Sequence, residues 1–180
     1  MRRIVLASAV LALLCATAVT THVRPASANG HTAAIRHLGG EIRQLEQATW
    51  HWQRVMGVRR TETAGRVLAE MSVGDVEEAL RLWLARAAAA RRQAQHPPHL
   101  RQWLCIHHYE GSWTDRGAPY YGGLQMNLEF QQSYGGWLYA RKGTADHWTP
   151  LEQIWTAERA LRVRGFWPWP NTARFCGLLP

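Results

Sequence analysis

The hydrophobic positions in the first half of the chain form two helical stripes, in which apolar residues recur three and four positions apart. The first stripe extends from Ile35 to Met56, and the flexible pair Gly39-Gly40 inside it predicts that the helix begins near Glu41. The second stripe predicts a helix over Asp75 to Ala94, with acidic residues at its start and arginines near its end. We expect these two helices to pair as an antiparallel hairpin.

The second half of the chain predicts shorter elements with stronger capping signals. Asn127 is typical of a helix cap and predicts a helix over Leu128 to Tyr134 that ends at Gly135-Gly136. Thr149-Pro150-Leu151-Glu152 has the residues of a capping box with proline at the first helical position. The other predictions are a short helix over Arg101 to Tyr109 with Gly111 as a left-handed cap, a strand or hairpin over Tyr120 to Met126, a helix end at Gly165, and an extended tail over Trp167 to Pro170.

The segment His96-Pro97-Pro98-His99 separates the two halves, because proline has no N–H to donate and restricts the residue before it. We expect a helical N-terminal region over residues 29–96, a proline-containing linker over 97–100 and a second domain over 101–180. These elements predict a mostly helical α+β protein, in which a helical hairpin precedes a small domain with a short β-hairpin.

The first 28 residues have the organisation of a secretory signal peptide. Met1-Arg2-Arg3 is a basic start, Ile4 to Val19 is an apolar run without charge, and Ala26-Ser27-Ala28 is a signal-peptidase cleavage pattern. A membrane-spanning helix needs about 20 apolar residues, and this run is shorter. We therefore expect a secreted protein, extracellular or associated with the cell wall, with no stable membrane insertion after cleavage.

If the protein is secreted, its net charge and its cysteines indicate different partners and a different redox state than they would inside the cell. The chain has 21 Lys and Arg residues against 13 Asp and Glu, and losing the three arginines before residue 29 leaves a net charge of +5. Nucleic acid is scarce outside the cell, so we expect no nucleic-acid partner, and the basic charge serves either binding to a polyanionic cell envelope or solubility alone. The two cysteines that remain, Cys105 and Cys176, predict one disulfide.

Glu110 is the best candidate for acid chemistry. An acid that breaks a glycosidic bond must be protonated near neutral pH, and desolvation against aromatic rings raises the pKa of a glutamate. Trp113 follows Glu110 by three residues, and Tyr120-Tyr121 lies on the predicted hairpin. The other acids predict other roles: Asp115 and Asp146 in polar loops, Glu129 on an exposed helix face, Glu152 in a cap, and Glu158 paired with Arg162.

The order of motifs after residue 100 resembles the resuscitation-promoting-factor, or transglycosylase-like, family. The motifs, which cover about residues 101–177, are Cys105, Glu110-Gly111-Ser112-Trp113, Tyr120-Tyr121-Gly122-Gly123-Leu124-Gln125, Ala157-Glu158-Arg159, Gly165-Phe166-Trp167-Pro168-Trp169-Pro170 and Cys176. The sequence departs from the family in two places. Cys105 stands five positions before Glu110, where the family usually has the cysteine directly before the glutamate. Asn127 and Phe130 replace residues of a stretch where the family tends to carry threonine.

The resemblance implies a lysozyme-like domain that cleaves the β-1,4 bond between N-acetylmuramic acid and N-acetylglucosamine in peptidoglycan. Glu110 would be the sole catalytic acid and base, and Gln125 would line the sugar cleft. A single carboxylate fits a lytic transglycosylase, in which the substrate's own 6-hydroxyl closes the ring. The glycan strands of peptidoglycan are the implied partner, and no cofactor is implied.

Aromatic residues can either fill a core or stack on sugars. The chain has ten Trp, seven of them after residue 100. We assign Trp103, Trp155 and Phe166 to the core. The predicted substrate-binding residues are Gln125, Tyr121, Trp113, Tyr120, Trp148 and Trp169. On the first helix Trp52 continues the apolar stripe, while Trp50 and His51 point elsewhere and serve either domain packing or wall binding.

Three alternatives to a lytic transglycosylase are open at this point. Water could attack in place of the 6-hydroxyl, which gives a wall hydrolase. The domain could bind peptidoglycan without cutting it. A zinc site could also be formed, but no HExxH pattern is present and the cysteine is expected in the disulfide. The candidate ligands for such a site are Cys105, His107, His108, Glu110 and His147.

Overall fold

A computed structural model describes residues 28–63 and 70–180, so the predicted signal peptide lies outside the described residues, except for Ala28. The helices are α1 (Ala28–Met56), α2 (Val73–Ala94), α3 (Leu100–Glu110), α4 (Leu128–Lys142), α5 (Pro150–Arg164) and α6 (Pro170–Phe175). A two-stranded antiparallel hairpin consists of β1 (Tyr120–Tyr121) and β2 (Met126–Asn127), and a 3-10 turn covers Ala145–His147. Within the described ranges, no helix is both long and apolar enough to cross a bilayer.

Helix α1 begins earlier than its glycine pair predicts. The prediction of a start near Glu41 is wrong, because the helix continues through Gly39-Gly40 from Ala28. Each glycine costs a helix about 1 kcal/mol, and packing opposes that cost. Ile35, Leu38 and their successors along the stripe pack against α2 and bury Ile42. Tertiary contact therefore outweighs local propensity here.

Helices α1 and α2 pair, as predicted, but they run parallel, so the prediction of an antiparallel hairpin is wrong. The rings of Trp50 and Trp83 meet edge to face at 6.0 Å. Val55 and Met56 at the end of α1 and Ala94 at the end of α2 belong to one buried cluster, together with Trp155. Both helices therefore end at the same side of the molecule.

The connection after α1 explains the parallel arrangement. Trp50 Nε1 donates a hydrogen bond to the carbonyl oxygen of Thr61 at 2.9 Å. The side chain of Gln53 accepts from Thr61 N at 2.9 Å and donates to Thr61 Oγ1 at 2.6 Å. The chain thus turns back along α1 before α2 begins.

Helices α3 to α6 enclose the main hydrophobic core together with the hairpin. Trp103, Ile106 and Leu124 are fully buried in it, and α5 lies at its centre with residues 152–158 all buried. The core assignments of Trp103 and Trp155 are confirmed. Phe166 is half-buried and packs against Trp103, with the ring centroids 5.1 Å apart.

The hairpin predicted between Tyr120 and Met126 is confirmed, with Tyr120 opposite Asn127 and Tyr121 opposite Met126. A buried amide holds its turn: Gln153 Oε1 accepts from Gly123 N at 2.8 Å, while Gln153 Nε2 donates to the carbonyl oxygens of Trp113, Ala145 and Trp148. Gly122 has a φ of 73°, and a Cβ there would lie 2.5 Å from Gln153 Oε1. Only glycine fits this position.

Helix α4 is kinked at the glycine pair that was predicted to end it. The Asn127 cap is confirmed, since its side chain accepts from Phe130 N at 2.8 Å. Gly135 has non-helical dihedral angles (φ −132°, ψ 23°), but the helix continues beyond it to Lys142. A Cβ on Gly135 would lie 2.6 Å from the Trp148 ring, so the indole occupies the space that the missing side chain leaves.

The C-terminal part agrees with the capping prediction but not with the predicted extended tail. Thr149 and Glu152 form the expected capping box. The tail turns instead, because Trp169 N donates to the carbonyl oxygen of Phe166 and Pro170 starts α6. The predicted disulfide between Cys105 and Cys176 is confirmed and joins α3 to the end of α6.

Arg159 connects the N-terminal helices to the rest of the molecule. Its guanidinium donates to the carbonyl oxygens of Val55 and Tyr134, both at 2.6 Å, and to Thr156 Oγ1 at 2.9 Å. Burial and, to a smaller extent, the charge of Arg162 lower the pKa of Arg159 to about 10. The side chain remains charged at neutral pH, where two backbone carbonyls solvate it.

Candidate active site

Glu110 is the last residue of α3 and is half-buried. Its Oε1 accepts a hydrogen bond of 2.7 Å from the hydroxyl of Thr172 on α6. Gly111 ends the helix with a φ of 150°, a conformation that favours glycine but is not the left-handed helical one that was predicted. The carboxyl group therefore lies where the end of α3 meets α6.

The start of α3 is fixed by Glu158. This buried carboxylate accepts from His99 N at 2.9 Å and from Trp103 Nε1 at 3.0 Å, and its other oxygen lies 3.1 Å from His99 Nδ1. The prediction that Glu158 pairs with Arg162 is therefore wrong. The acidic residue is buried on the inner face of α5, and it holds the helix that carries Glu110.

Gln125 and Asp115 form a polar pair next to the residue that follows Glu110. Gln125, which has a φ of 47°, donates from Nε2 to Asp115 Oδ2 at 2.8 Å and to the carbonyl oxygen of Gly122 at 2.9 Å. A Cβ on Gly111 would lie 3.4 Å from Asp115 Oδ2 and 3.6 Å from Gln125 Nε2. The hairpin turn is thus held against the end of α3.

A cavity of about 400 Å³ opens beside this pair. The hairpin, the first half of α4 and the segment before α6 contribute its walls. The lining residues are Tyr120, Gln125, Met126, Asn127, Glu129, Phe130, Ser133, Tyr134, Arg164, Pro168 and Trp169. Glu110 is not one of them, and its connection to the cavity is indirect: the next residue, Gly111, lies against Gln125, and its hydrogen-bond partner Thr172 follows the lining residue Trp169 by three positions. We refer to this space as the hairpin cavity.

Three of the six predicted substrate-binding residues line the hairpin cavity. Tyr120 is exposed at its edge, Gln125 is half-buried, and Trp169 is almost fully buried, with Nε1 donating to the carbonyl oxygen of Leu124 at 2.6 Å. Trp169 is held tightly against Trp103 and Phe130 as well.

The other three predicted residues lie elsewhere. Trp113 stacks on His107 with ring centroids 3.9 Å apart, and Tyr121 packs half-buried against the core. The prediction for Trp148 is wrong, because this side chain is 3% exposed and its ring fills the space beside Gly135. Trp148 supports the kink in α4 and has no free face for a sugar.

Sequence reasoning missed Thr172 and the role of Asp115. Thr172 is 62 positions from Glu110, and no local pattern connects the two residues. Asp115 was assigned to a polar loop, although its carboxylate binds both Gln125 and the N–H of Gly117. Asp146 was assigned to a polar loop too, but it is 8% exposed and its Oδ1 has no hydrogen-bond partner among the described residues.

His107, one of the candidate metal ligands, has a structural contact. Its Nδ1 lies 3.0 Å from the carbonyl oxygen of Gly123, and its ring covers Trp113. Within residues 28–63 and 70–180, no three His, Cys, Asp or Glu side chains form a group that could hold a metal ion.

Fold and site together define a mostly helical protein with a short hairpin and one disulfide. A half-buried glutamate lies outside the lining of a polar and aromatic cavity and is connected to it through its neighbours Gly111 and Thr172. Comparison of the sequence with models of known protein families and with characterised proteins finds no match.

Proposed function

We propose that residues 101–180 form a lysozyme-like domain of a secreted enzyme, which cleaves the β-1,4 bond between N-acetylmuramic acid and N-acetylglucosamine in peptidoglycan. The observation that carries this proposal is the position of Glu110. Thr172 donates a hydrogen bond to one of its carboxyl oxygens, and the next residue, Gly111, lies against Gln125, which lines the hairpin cavity. The order of motifs that resembles the transglycosylase-like family supports the same chemistry.

In the proposed reaction the carboxylic acid of Glu110 donates its proton to the glycosidic oxygen, while the bond from that oxygen to the sugar carbon breaks. Positive charge then develops on the sugar ring. The carboxylate next accepts a proton from the attacking hydroxyl, so that the acid form is restored. If the attacking group is the 6-hydroxyl of the same sugar, the product is an anhydro sugar; if it is water, the product has a reducing end.

The surroundings of Asp115 favour a single catalytic carboxylate. Asp115 Oδ2 accepts from Gln125 and Oδ1 accepts from the N–H of Gly117, so each oxygen has a partner in the scaffold. We assign Asp115 the role of positioning Gln125 and not that of a nucleophile. This arrangement is the reason for preferring the lytic transglycosylase over a two-carboxylate hydrolase.

The substitution Glu110→Gln tests the proposal. It keeps the shape of the side chain and its ability to accept from Thr172, but it removes the transferable proton. We expect the clearance of purified cell-wall suspensions to fall by about 100-fold or more. Glu78→Gln, at an exposed position of α2, is the matched control and should clear walls at the wild-type rate.

Two outcomes would separate the alternatives. Clearance that survives in Glu110→Gln would remove Glu110 from its role. Binding to walls without clearance by either protein would favour a module that binds but does not cut. For an active protein, mass spectrometry of the released fragments distinguishes anhydro ends from reducing ends, which are heavier by one water.

A further inference from the structure

A second and larger cavity, between α1 and α4, has no part in the proposed cleavage. Its volume is about 780 Å³, within the range of roughly 300–1,000 Å³ typical of ligand sites. Trp50, His51 and Trp137 line it, and so do three arginines, Arg54, Arg60 and Arg141. We refer to this space as the arginine cavity.

We propose that the arginine cavity is a second binding site, which takes the carboxylate groups of the short acidic peptides attached to the glycan. The choice of this ligand rests on the proposed function, because the peptides belong to the same polymer as the glycan. The shape and the charge of the cavity do not depend on it.

The three arginines are exposed and form no ion pair, but Arg60 lies near the half-buried carboxyl of Glu46: burial raises the pKa of Glu46, and the charge of Arg60 lowers it. All 13 acidic residues of the chain lie in the described part, and none of them comes within 4.0 Å of the guanidinium groups of Arg54, Arg60 or Arg141. Three cations beside one cavity, none of them in an ion pair, attract an anionic ligand.

Aromatic rings hold two of these guanidinium groups in place. Arg60 lies over the ring of Trp50, 3.3 Å from its centroid, and Arg54 lies 5.5 Å from the centroid of Trp137. Stacking uses the flat face of a guanidinium and leaves the N–H groups at its edge free to bind a carboxylate in a bidentate manner. Arg60 covers the face of the Trp50 indole in this way, which favours an anion over a sugar stacked on this ring.

The positive charge of the cavity comes from its arginines and not from its histidine. Burial lowers the pKa of His51 below its ordinary value of 6.5. The charge of Glu152 raises this pKa, and the charges of Lys142, Arg141 and Arg54 lower it. The imidazole is therefore neutral at neutral pH.

The amide side chains of the cavity favour an acidic peptide over a phosphate polymer. Gln44 and Gln47 lie exposed on α1 at the cavity. An amide group both donates and accepts hydrogen bonds, and a peptide backbone offers it both a carbonyl oxygen and an N–H group. A phosphodiester chain offers acceptors but no N–H donor for the amide oxygen.

Helix α4 connects the arginine cavity to the hairpin cavity. Tyr134 lines the hairpin cavity, and Trp137 and Arg141 line the arginine cavity. Tyr134 and Trp137 are three residues apart on either side of the kink at Gly135, so their Cα atoms are at most about 11 Å apart. A polymer with glycan in the first cavity can therefore place an attached peptide in the second.

Titration of the full chain with a synthetic tetrapeptide that carries three carboxylates tests the proposal, with tryptophan fluorescence as the signal. The fully amidated form of the same peptide is the chemical control. We expect the acidic peptide to bind, and the double variant Arg54→Gln/Arg141→Gln to bind it at least about tenfold more weakly. Arg86→Gln, which removes an exposed arginine stacked on Trp83, should change the affinity by less than about twofold.

Three results would overturn the proposal: equal binding of the amidated peptide, equal affinity of the double variant, or tighter binding of a glycerol-phosphate oligomer than of the acidic peptide. Thermal unfolding of each variant verifies that it is folded. The peptide contains no sugar, so its affinity can be measured in Glu110→Gln as well. A failure of wall cleavage therefore leaves this test intact, and a failure of peptide binding leaves the role of Glu110 intact.

Discussion

Thr172 and Glu110 are 62 positions apart, yet the Thr172 hydroxyl fixes one oxygen of the proposed catalytic carboxyl at 2.7 Å. We expect Thr172→Val, which keeps the shape and loses the hydroxyl, to lower kcat for wall cleavage by about tenfold, because the carboxyl loses its fixed orientation. Thr172→Ser should restore most of the rate. Cleavage kinetics on one wall preparation check both variants, and an unchanged kcat in Thr172→Val would contradict a positioning role.

Glu152 gives the fold a contribution to stability that depends on pH. Burial by itself raises the pKa of this carboxyl, but hydrogen bonds from Lys142 and Thr149 and the charge of Lys142 outweigh burial and lower it. Lys142 Nζ lies 2.7 Å from both carboxylate oxygens. Since the folded pKa is below the ordinary value of 4.5, the contribution is present above that pH and is lost as the pH falls through the folded pKa.

The pH contribution of Glu152 leads to a stability prediction. Glu152→Gln should lower the free energy of unfolding by about 1–3 kcal/mol at pH 7, and the difference from wild type should shrink below pH 4.5. Urea unfolding at a series of pH values measures it. Glu77→Gln, exposed on α2, is the control. A difference that stays constant from pH 7 to pH 3 would show that the charge of Glu152 is not its source.

At the scale of elements, Arg159 joins α1 to α4 through the carbonyl oxygens of Val55 and Tyr134. We expect Arg159→Lys to lower the free energy of unfolding by about 1–3 kcal/mol, because an ammonium group cannot replace the guanidinium fork at both carbonyls. Arg162→Lys, on the exposed side of the same helix, should have little effect. Chemical denaturation measures both, and equal losses in the two variants would refute the bridging role.

The elements that the sequence predicted correctly are those with local causes. The Asn127 cap and the Thr149 capping box need only residues within three positions, and both are present. The kink at Gly135 depends on the distant ring of Trp148, and the parallel course of α2 depends on contacts with Thr61. Neither contact follows from the spacing of residues within one helix, so a sequence pattern does not predict it.

The same distinction between local and distant causes applies to the candidate site. Glu110 and Gln125 could be predicted because they lie in motifs, and the disulfide followed from counting cysteines. Thr172 and the arginine cavity could not, since each brings together residues from distant helices. Glu158 bonds Trp103 and not Arg162, because helix spacing alone does not reveal which charges become buried.

At the scale of the whole molecule, Trp155 connects the N-terminal helices to the part of the chain that contains Glu110. Its ring packs with Val55 and Met56, and its Nε1 donates to the carbonyl oxygen of Ala94 at 2.8 Å. Trp155→Ala should cost about 3–5 kcal/mol at this contact, so the amide hydrogens of α1 and α2 should exchange faster and acidic-peptide binding should weaken. Wall cleavage should persist, because the ring of Trp155 belongs to the cluster at the ends of α1 and α2 and not to the main core or to the lining of the hairpin cavity. Hydrogen-exchange mass spectrometry and wall clearance measure the two effects on one sample, and Trp155→Phe, which keeps a buried ring, is the control. Cleavage that fell in step with the protection of α1 and α2 would mean that the molecule has one cooperative unit, with no boundary at residues 97–100.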